Sequence, residues 1–199
     1  VLEDGRLEQL KGFGEKSVEN IRHSLDLVKK SEDRIPLSEA EPIGEDLQAY
    51  MRRCLEAEQV AIGGSLRRKK DTIGDVDVLV SSTSPQKVID HFFAYPDIVE
   101  TIARGSTKAS VRIKTAARQV DLRVIPPESF GSALQYFTGN KAHNVQLRQL
   151  AQHQDMKLSE YGLFKGSKKI AGETEQSIYE ALGVAMPPPQ ARLGKDELG

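Results

Sequence analysis

Residues 63–77 read GGSLRRKKDTIGDVD, and residues 120–126 read VDLRVIP. In the first stretch a Gly-Gly-Ser turn and a basic cluster lead into Asp75 and Asp77, spaced i, i+2 at the head of an apolar run. These two acids alternate with Val76, Val78 and Val80, so a strand here puts both carboxylates on one face and the valines on the other. Two carboxylates on one rigid face repel each other unless a cation sits between them. Mg²⁺ is bound by a few carboxylates together with substrate phosphates, at roughly 2.0–2.1 Å. A pair of such ions about 3.5–4 Å apart stabilises both the attacking and the leaving oxygen of an in-line displacement. The pattern therefore points to phosphoryl or nucleotidyl transfer. In the second stretch apolar and polar residues alternate strictly, as in a strand with one face buried, so Asp121 and Arg123 share the open face. If the two strands are neighbours, three carboxylates converge and Arg123 is placed to orient one of them. Any one of these acids alone reads as an ordinary surface residue; the combination of turn, paired acids and later strand acid does not.

The segment GGSLRRKKDTIGDVDVLV resembles the palm signature of family X DNA polymerases, the family of DNA polymerase beta and terminal transferase, and VDLRVIP resembles their third-aspartate strand. LKGFGEKSVENI at 10–21 is similar to the family's helix-hairpin-helix, and YFTGNKAHNVQLR at 136–148 to its nucleotide-binding loop and following helix. These segments stand in the family's order and span nearly the whole chain. The Gly-Ser turn with its paired acids alone indicates only the wider nucleotidyltransferase superfamily; the YFTG loop and the hairpin narrow it. EYGLFKGSKKIAGETEQSIYEALGVAMPPP resembles most the bacterial and archaeal branch.

The resemblance implies an α+β fold: a nucleotidyltransferase palm with a mixed β-sheet (41–127), preceded by a helical helix-hairpin-helix subdomain (1–40) and followed by a small α+β subdomain (128–199). It implies a DNA-directed DNA polymerase that fills short gaps in repair, acting on primer-template or gapped DNA and a deoxynucleoside triphosphate with two Mg²⁺ or Mn²⁺ ions. Asp75 and Asp77 would bind both ions and Asp121 the one at the primer terminus. Gly64 and Ser65 would offer a backbone N–H and a hydroxyl to the β/γ-phosphates, with Arg68 and Gly74 completing that grip. Tyr136 and Phe137 would flank the nucleotide sugar beside Gly139, Asn144 would hydrogen-bond the incoming base in its minor groove, and Arg148 would contact the template. Minor-groove acceptors are shared by all base pairs, so such a contact tests pair geometry and not sequence. Lys11, Gly12, Phe13, Gly14 and Lys16 would form the hairpin's grip on DNA, with a monovalent cation on the carbonyls of Glu8, Leu10 and Phe13. Arg112 and Arg123 complete the expected DNA-facing cations. One departure stands out: vertebrate members carry Arg where this chain has Gln119, so the partner of the active-site acids differs. The resemblance further implies a monomer in the bacterial cytoplasm, associated with the nucleoid, and a core that is one piece of a longer protein.

Composition fits these expectations. At 199 residues the chain is long enough for a substantial core, and 38% hydrophobic with 29% charged residues is ordinary for a globular protein. No apolar run approaches the roughly 20 residues of a membrane helix, and no signal peptide is visible. The single cysteine, Cys54, excludes an internal disulfide. It falls in the helical pattern Leu47, Tyr50, Met51, Cys54, Leu55, which reads as a core thiol. A net charge of −1 lacks the overall basicity of a nucleic-acid binder. Basic residues are instead local, at Arg67, Arg68, Lys69, Lys70 and at Arg104, Lys108, Arg112, Lys114, Arg118, which implies a modest and salt-dependent affinity for DNA.

Along the chain, two short amphipathic patterns flank Lys11-Gly12-Phe13-Gly14. The glycines allow a tight turn close to a phosphate, facing a helix N-terminus. Ile35-Pro36-Leu37 and Glu41-Pro42 read as a hinge, and 44–58 as a helix leading to a strand at 59–62. Strands are expected at 75–81, 98–104, 110–114 and 119–125, and helices at 85–95, 128–137 and 140–154, with Gly139 in the left-handed conformation that closes the first of the last two. The residues by themselves leave other readings open: a template-independent nucleotidyltransferase, a DNA-binding module without catalysis, and a core that delivers DNA to a nuclease domain outside this chain.

Overall fold

The computed structural model describes Lys16, Glu19, Asn20 and residues 34–199. Lys16, Glu19 and Asn20 are helical and exposed. The expected helix-hairpin-helix at Lys11, Gly12, Phe13 and Gly14, with its cation carbonyls, lies outside the described residues. By contacts the chain divides into 1–34 and a compact unit, Ile35–Gly199.

Within Ile35–Gly199 the largest sheet has five strands in the order β2 (Gln59–Ile62), β4 (Val76–Ser81), β7 (Gln119–Ile125), β6 (Lys108–Ile113) and β5 (Ile98–Arg104). β4 and β7 run parallel and every other neighbouring pair is antiparallel, so the sheet is mixed. Alternation explains its two faces. Val76, Val78 and Val80 of β4 and Val120, Leu122 and Val124 of β7 point into one core. Helix α1 (Leu37–Met51) covers that core with Ala40, Ile43, Leu47, Tyr50 and Met51, and α3 (Pro85–Phe93) with Val88, Ile89 and Phe92. Beside α1 lie α2 (Gly64–Arg67) and the short strands β1 (Ile35–Pro36) and β3 (Thr72–Ile73), which pair with each other. On the opposite face, Leu79 and Ile125 are covered by Phe130 and Ala133 of α4 (Phe130–Thr138). Asp77, Asp121 and Arg123, on that same face, are left outside this apolar patch. The site is thus the uncovered end of a sheet whose other face is fully packed.

The remainder is a smaller α+β layer. Helix α5 (Lys141–His153), the meander β8 (Lys157–Ser159), β9 (Gly162–Lys165), β10 (Lys168–Ala171) and α6 (Glu175–Leu182) enclose a second core of Leu147, Ala151, Leu158, Leu163, Ile178, Tyr179 and Leu182. Asn140 caps α5 and Thr174 caps α6, each side-chain oxygen accepting from the amide three residues on.

Several sequence expectations need correction. Pro42 does not break a helix: α1 runs unbroken from Leu37 to Met51 with Pro42 inside it, held by its apolar stripe against the sheet, and it ends before 58 in tight turns at Cys54 and Ala57. The strand expected to run to 114 ends at Ile113, and Lys114 beyond it is in αR conformation. Gly139 has the positive φ of 68° but a ψ of −153°, which is outside the left-handed helical region. Cys54 is buried as its spacing implies, and burial raises its thiol pKa. No helix among the described residues is long and apolar enough to cross a membrane.

Candidate active site

The parallel register of β4 and β7 sets Asp77 directly opposite Asp121. Asp75 is exposed and stands immediately ahead of β4. Asp77 is half-buried, and its carboxyl is pushed up to about 7, first by burial and then by the negative charges of Asp121 and Asp75; Arg123 and Arg68 pull the other way without cancelling them. The sequence reading had Asp75 and Asp77 repelling each other on one face, and the structure adds Asp121, whose charge acts on Asp77 more strongly than that of Asp75.

Asp121 is braced by neutral donors. Ser110, its partner across the β6–β7 pair, donates its hydroxyl to Asp121 Oδ1, and Gln119 donates Nε2 to Oδ1 at 3.1 Å and to Oδ2 at 3.4 Å. Gln119 therefore meets the acid as an uncharged amide. Among the described residues no three His, Cys, Asp or Glu side chains are gathered into a ready metal cage. The donor set nevertheless fits a hard divalent cation, since it consists of carboxylate oxygens. A carboxyl whose proton is held by burial and by neighbouring negative charge is one at which a cation can take that proton's place.

The turn before α2 is sewn to the Asp77 strand, with Gly63 N–H donating to Asp77 O at 2.9 Å. Gly64 has φ +60°, and a Cβ there would stand 2.2 Å from Asp77 Oδ2. Glycine is required twice over, by conformation and by proximity to the carboxylate. Ser65 follows in the first turn, half-buried. The carbonyl of Gly74 accepts from Arg118 Nη1 at 3.4 Å, which ties the residue ahead of Asp75 to the loop preceding β7.

Arg67 and Arg68 diverge. Arg68 donates Nη1 to the carbonyl of Thr138, while Arg67 donates to Thr138 Oγ1 at 2.7 Å and grips both oxygens of Glu175 at 2.8 and 2.6 Å. Glu175 also accepts from Arg192 Nη1 at 2.6 Å. Burial raises the Glu175 pKa, but the two guanidiniums outweigh burial and hold the carboxyl below its ordinary value.

A cleft of about 390 Å³ is lined by Arg68, Asp77, Tyr136, Phe137, Gly139, Asn144 and Arg148. Tyr136 and Phe137 meet edge-on at 4.9 Å between ring centres, and the Arg123 guanidinium lies 4.2 Å over Phe137. Arg148, one turn beyond Asn144 on α5, opens on the same cleft. Of the candidate residues in the described part, Arg112 shares the face of Asp121, paired with Gln119 on the neighbouring strand, but does not line the cleft: it donates Nε to Glu100 at 3.0 Å and Nη1 to the Ala117 carbonyl at 3.3 Å. Sequence reasoning missed Arg67, Glu175, Arg192 and Gln135. An Arg-Arg pair gives no sign of which guanidinium turns which way, and Glu175 reads as an ordinary first-turn acid behind its cap.

Two family models match the chain, DNA polymerase beta palm over residues 34–109 and DNA polymerase beta thumb over residues 133–193. Bacillus subtilis DNA polymerase/3′-5′ exonuclease PolX is 30% identical over 199 residues, covering 98% of this chain and 35% of that protein. Rat DNA polymerase lambda is 28% identical, covering 94% of this chain and 37% of its own length. The chain thus spans about a third of these relatives. A crystal structure titled Leishmania infantum polymerase beta, ternary P/T complex, superposes with a TM-score of 0.71 at 24% identity, covering 94% of this chain and 96% of that one. The palm and thumb matches, carried by a sheet that sets Asp77 against Asp121 under the Gly64 turn, mean that the chain belongs to family X, the DNA polymerase beta family.

Proposed function

We propose that this chain is a metal-dependent, DNA-directed polymerase core that transfers a nucleotide from a deoxynucleoside triphosphate to a primer 3′-hydroxyl, filling short gaps in DNA repair. The observation that carries the reading is the in-register pair Asp77 and Asp121 on parallel strands, with Asp77 opening on a cleft walled by Tyr136, Phe137 and Asn144. The relatives' names support it, since they are DNA polymerases of the same family.

In this reading Asp75 and Asp77 hold two divalent ions, Mg²⁺ or Mn²⁺, and Asp121 joins them at the ion nearest the primer. Once bound, such ions neutralise phosphate charge and lower the pKa of the attacking hydroxyl. Asp121, whose carboxylate is held by Ser110 and Gln119, would accept or orient the primer 3′-hydroxyl proton. Gly64 N–H and the Ser65 hydroxyl bind the β/γ-phosphates, and Arg68 and Gly74 close that grip. Tyr136, Phe137 and Gly139 shape the sugar pocket, Asn144 addresses the minor-groove edge of the base, and Arg148 the template. Arg123, poised over Phe137, links the aromatic wall to the acids. Residues 128–199 act as the nucleotide- and template-contacting subdomain and 41–127 as the palm. Lys11, Gly12, Phe13, Gly14 and Lys16 grip the DNA backbone, with a monovalent cation between. The chain works as a cytoplasmic, nucleoid-associated monomer.

The test is single-nucleotide extension on DNA carrying a one-nucleotide gap, with each deoxynucleotide offered separately in Mg²⁺ or Mn²⁺. Incorporation of the complementary nucleotide alone is expected, and Asp121→Ala should reduce it by at least a thousandfold with an unchanged melting curve. Indiscriminate addition would replace the templated reading with a terminal-transferase-like one. An Asp121→Ala protein that keeps most of its activity would remove the catalytic assignment.

A further inference from the structure

Asn144 can serve as a minor-groove reader only if it presents an N–H. The minor-groove edge common to all base pairs consists of acceptors, purine N3 and pyrimidine O2. An asparagine amide is half acceptor and half donor, and a turn of 180° exchanges the two. Something must therefore fix which half faces the cleft.

The surroundings of Asn144 do so. Its Nδ2 donates to the backbone carbonyl of Tyr136 at 2.8 Å, and its Oδ1 accepts from Gln135 Nε2 at 2.7 Å. A carbonyl can only accept, so the Tyr136 oxygen assigns Nδ2 to its own side and leaves Oδ1 facing Gln135. One Nδ2 hydrogen is used on Tyr136 and the second remains for the cleft, which Asn144 lines. Gln135 is 2% exposed and sits in the packed face of α4. Its side chain is also a hydrogen-bond partner of the Tyr179 hydroxyl, which meets His143 Nε2 at 2.8 Å; His143 Nδ1 in turn meets Glu197 at 2.9 Å. This series of buried contacts holds the Gln135 amide in one orientation.

We propose that Gln135 is a positioning residue for base-pair reading: it occupies the acceptor half of the Asn144 amide, so that Asn144 offers a hydrogen-bond donor to the minor-groove acceptor of the incoming nucleotide. The proposal rests on the polymerase reading above. It adds a residue that never touches the nucleotide and yet sets the polarity of the group that does. A side chain of similar size without a donor, Gln135→Leu or Gln135→Met, leaves Oδ1 without its buried donor and the amide held by the Tyr136 carbonyl alone, so the turned orientation gains population.

The discriminating probe is a 3-deazapurine deoxynucleoside triphosphate, in which the minor-groove N3 is replaced by C–H while the Watson–Crick edge is kept. Steady-state kcat/KM is measured on gapped DNA for dGTP and for 3-deaza-dGTP, with a melting temperature for each protein. The unaltered chain should prefer dGTP by roughly five- to tenfold, the value of about one hydrogen bond. Asn144→Ala should bring the ratio close to one. Gln135→Leu and Gln135→Met should each lower it at least halfway towards that floor, and in the Asn144→Ala background they should lower it no further. A wild-type ratio kept by whichever of the Gln135 variants folds overturns the proposal, whatever happens to overall activity, since a merely structural role changes both substrates alike. If Asn144→Ala keeps the ratio, Asn144 is not the reader and the proposal falls with that role. If the unaltered chain incorporates nothing on gapped DNA, the polymerase reading itself fails, which the dGTP arm reports separately.

Discussion

Asp77 sits where burial and like charge act in the same direction. Its folded-state pKa of about 7 lies above the roughly 3.9 of an unfolded aspartate, so the folded protein binds the proton more tightly. Stability therefore falls as pH rises from about 4 to 7, by on the order of 4 kcal/mol in total. A cation at the carboxylates offsets that loss at pH 8. Scanning calorimetry of the metal-free protein should show its melting temperature dropping between pH 5 and pH 8 and recovering with Mg²⁺. Asp77→Asn should flatten the profile and melt higher than the parent at pH 8 without metal. A flat profile in the parent would mean that the acids are already compensated by charge. The Asp121 brace belongs to the same scale. Ser110 and Gln119 hold that carboxylate with neutral donors, so turning it towards a cation breaks hydrogen bonds but no ion pair.

At the scale of elements, the turn into α2 is the most constrained joint in the fold. Gly64 and Gly166 share a φ of +60°, but a Cβ at Gly166 would meet nothing within 4 Å, whereas at Gly64 it would run into Asp77 Oδ2. The two substitutions separate conformational cost from contact cost. Gly166→Ala should lower stability by about 1 kcal/mol and leave nucleotide incorporation as it was. Gly64→Ala should cost about 2–4 kcal/mol and abolish incorporation, because the displaced partner is the Asp77 carboxylate. Urea denaturation midpoints and the gap-filling assay read both quantities; equal effects would show that the turn relaxes freely. The helices tell a related story. α1 absorbs Pro42 because its packed face against β2 and β4 outweighs the lost hydrogen bond, so a local breaker signal yielded to tertiary packing.

For the whole molecule, the decisive bond is the one between layers. Arg67, on the short helix beside the large sheet, and Arg192, near the end of the chain, clamp Glu175 at the head of α6. Glu175 and Arg192 are 7% and 0% exposed, so removing the carboxylate leaves guanidinium charge buried without its counter-ion. Glu175→Gln should cost about 3–5 kcal/mol. The lowered pKa of Glu175 means that its contribution is complete above its unfolded pKa, near 4.3, and disappears as pH falls below it. Arg67→Ala and Glu175→Gln should be strongly non-additive in a double-mutant cycle of unfolding free energies, and additivity would argue that the two layers do not share this link.

Much of the candidate site's face was legible in the chain itself. Period-2 alternation assigned Val76, Val78 and Val80 to a core and Asp77 and Asp121 to the opposite side, and the paired glycines marked a turn that no other residue can make. These signals are local: they report which way a side chain points relative to its neighbours in sequence. Partner identity is a different quantity. That β4 pairs with β7 in parallel, with Asp77 against Asp121, that Arg67 turns to a carboxylate 108 residues away while Arg68 turns to the Thr138 carbonyl, and that Gln135 fixes the Asn144 amide all depend on packing between elements. Periodicity carries no information about which faces meet. The residue types and the faces were therefore determined by the sequence alone, whereas register, charge pairing and amide orientation were decided only when the layers closed and buried polar groups had to find partners.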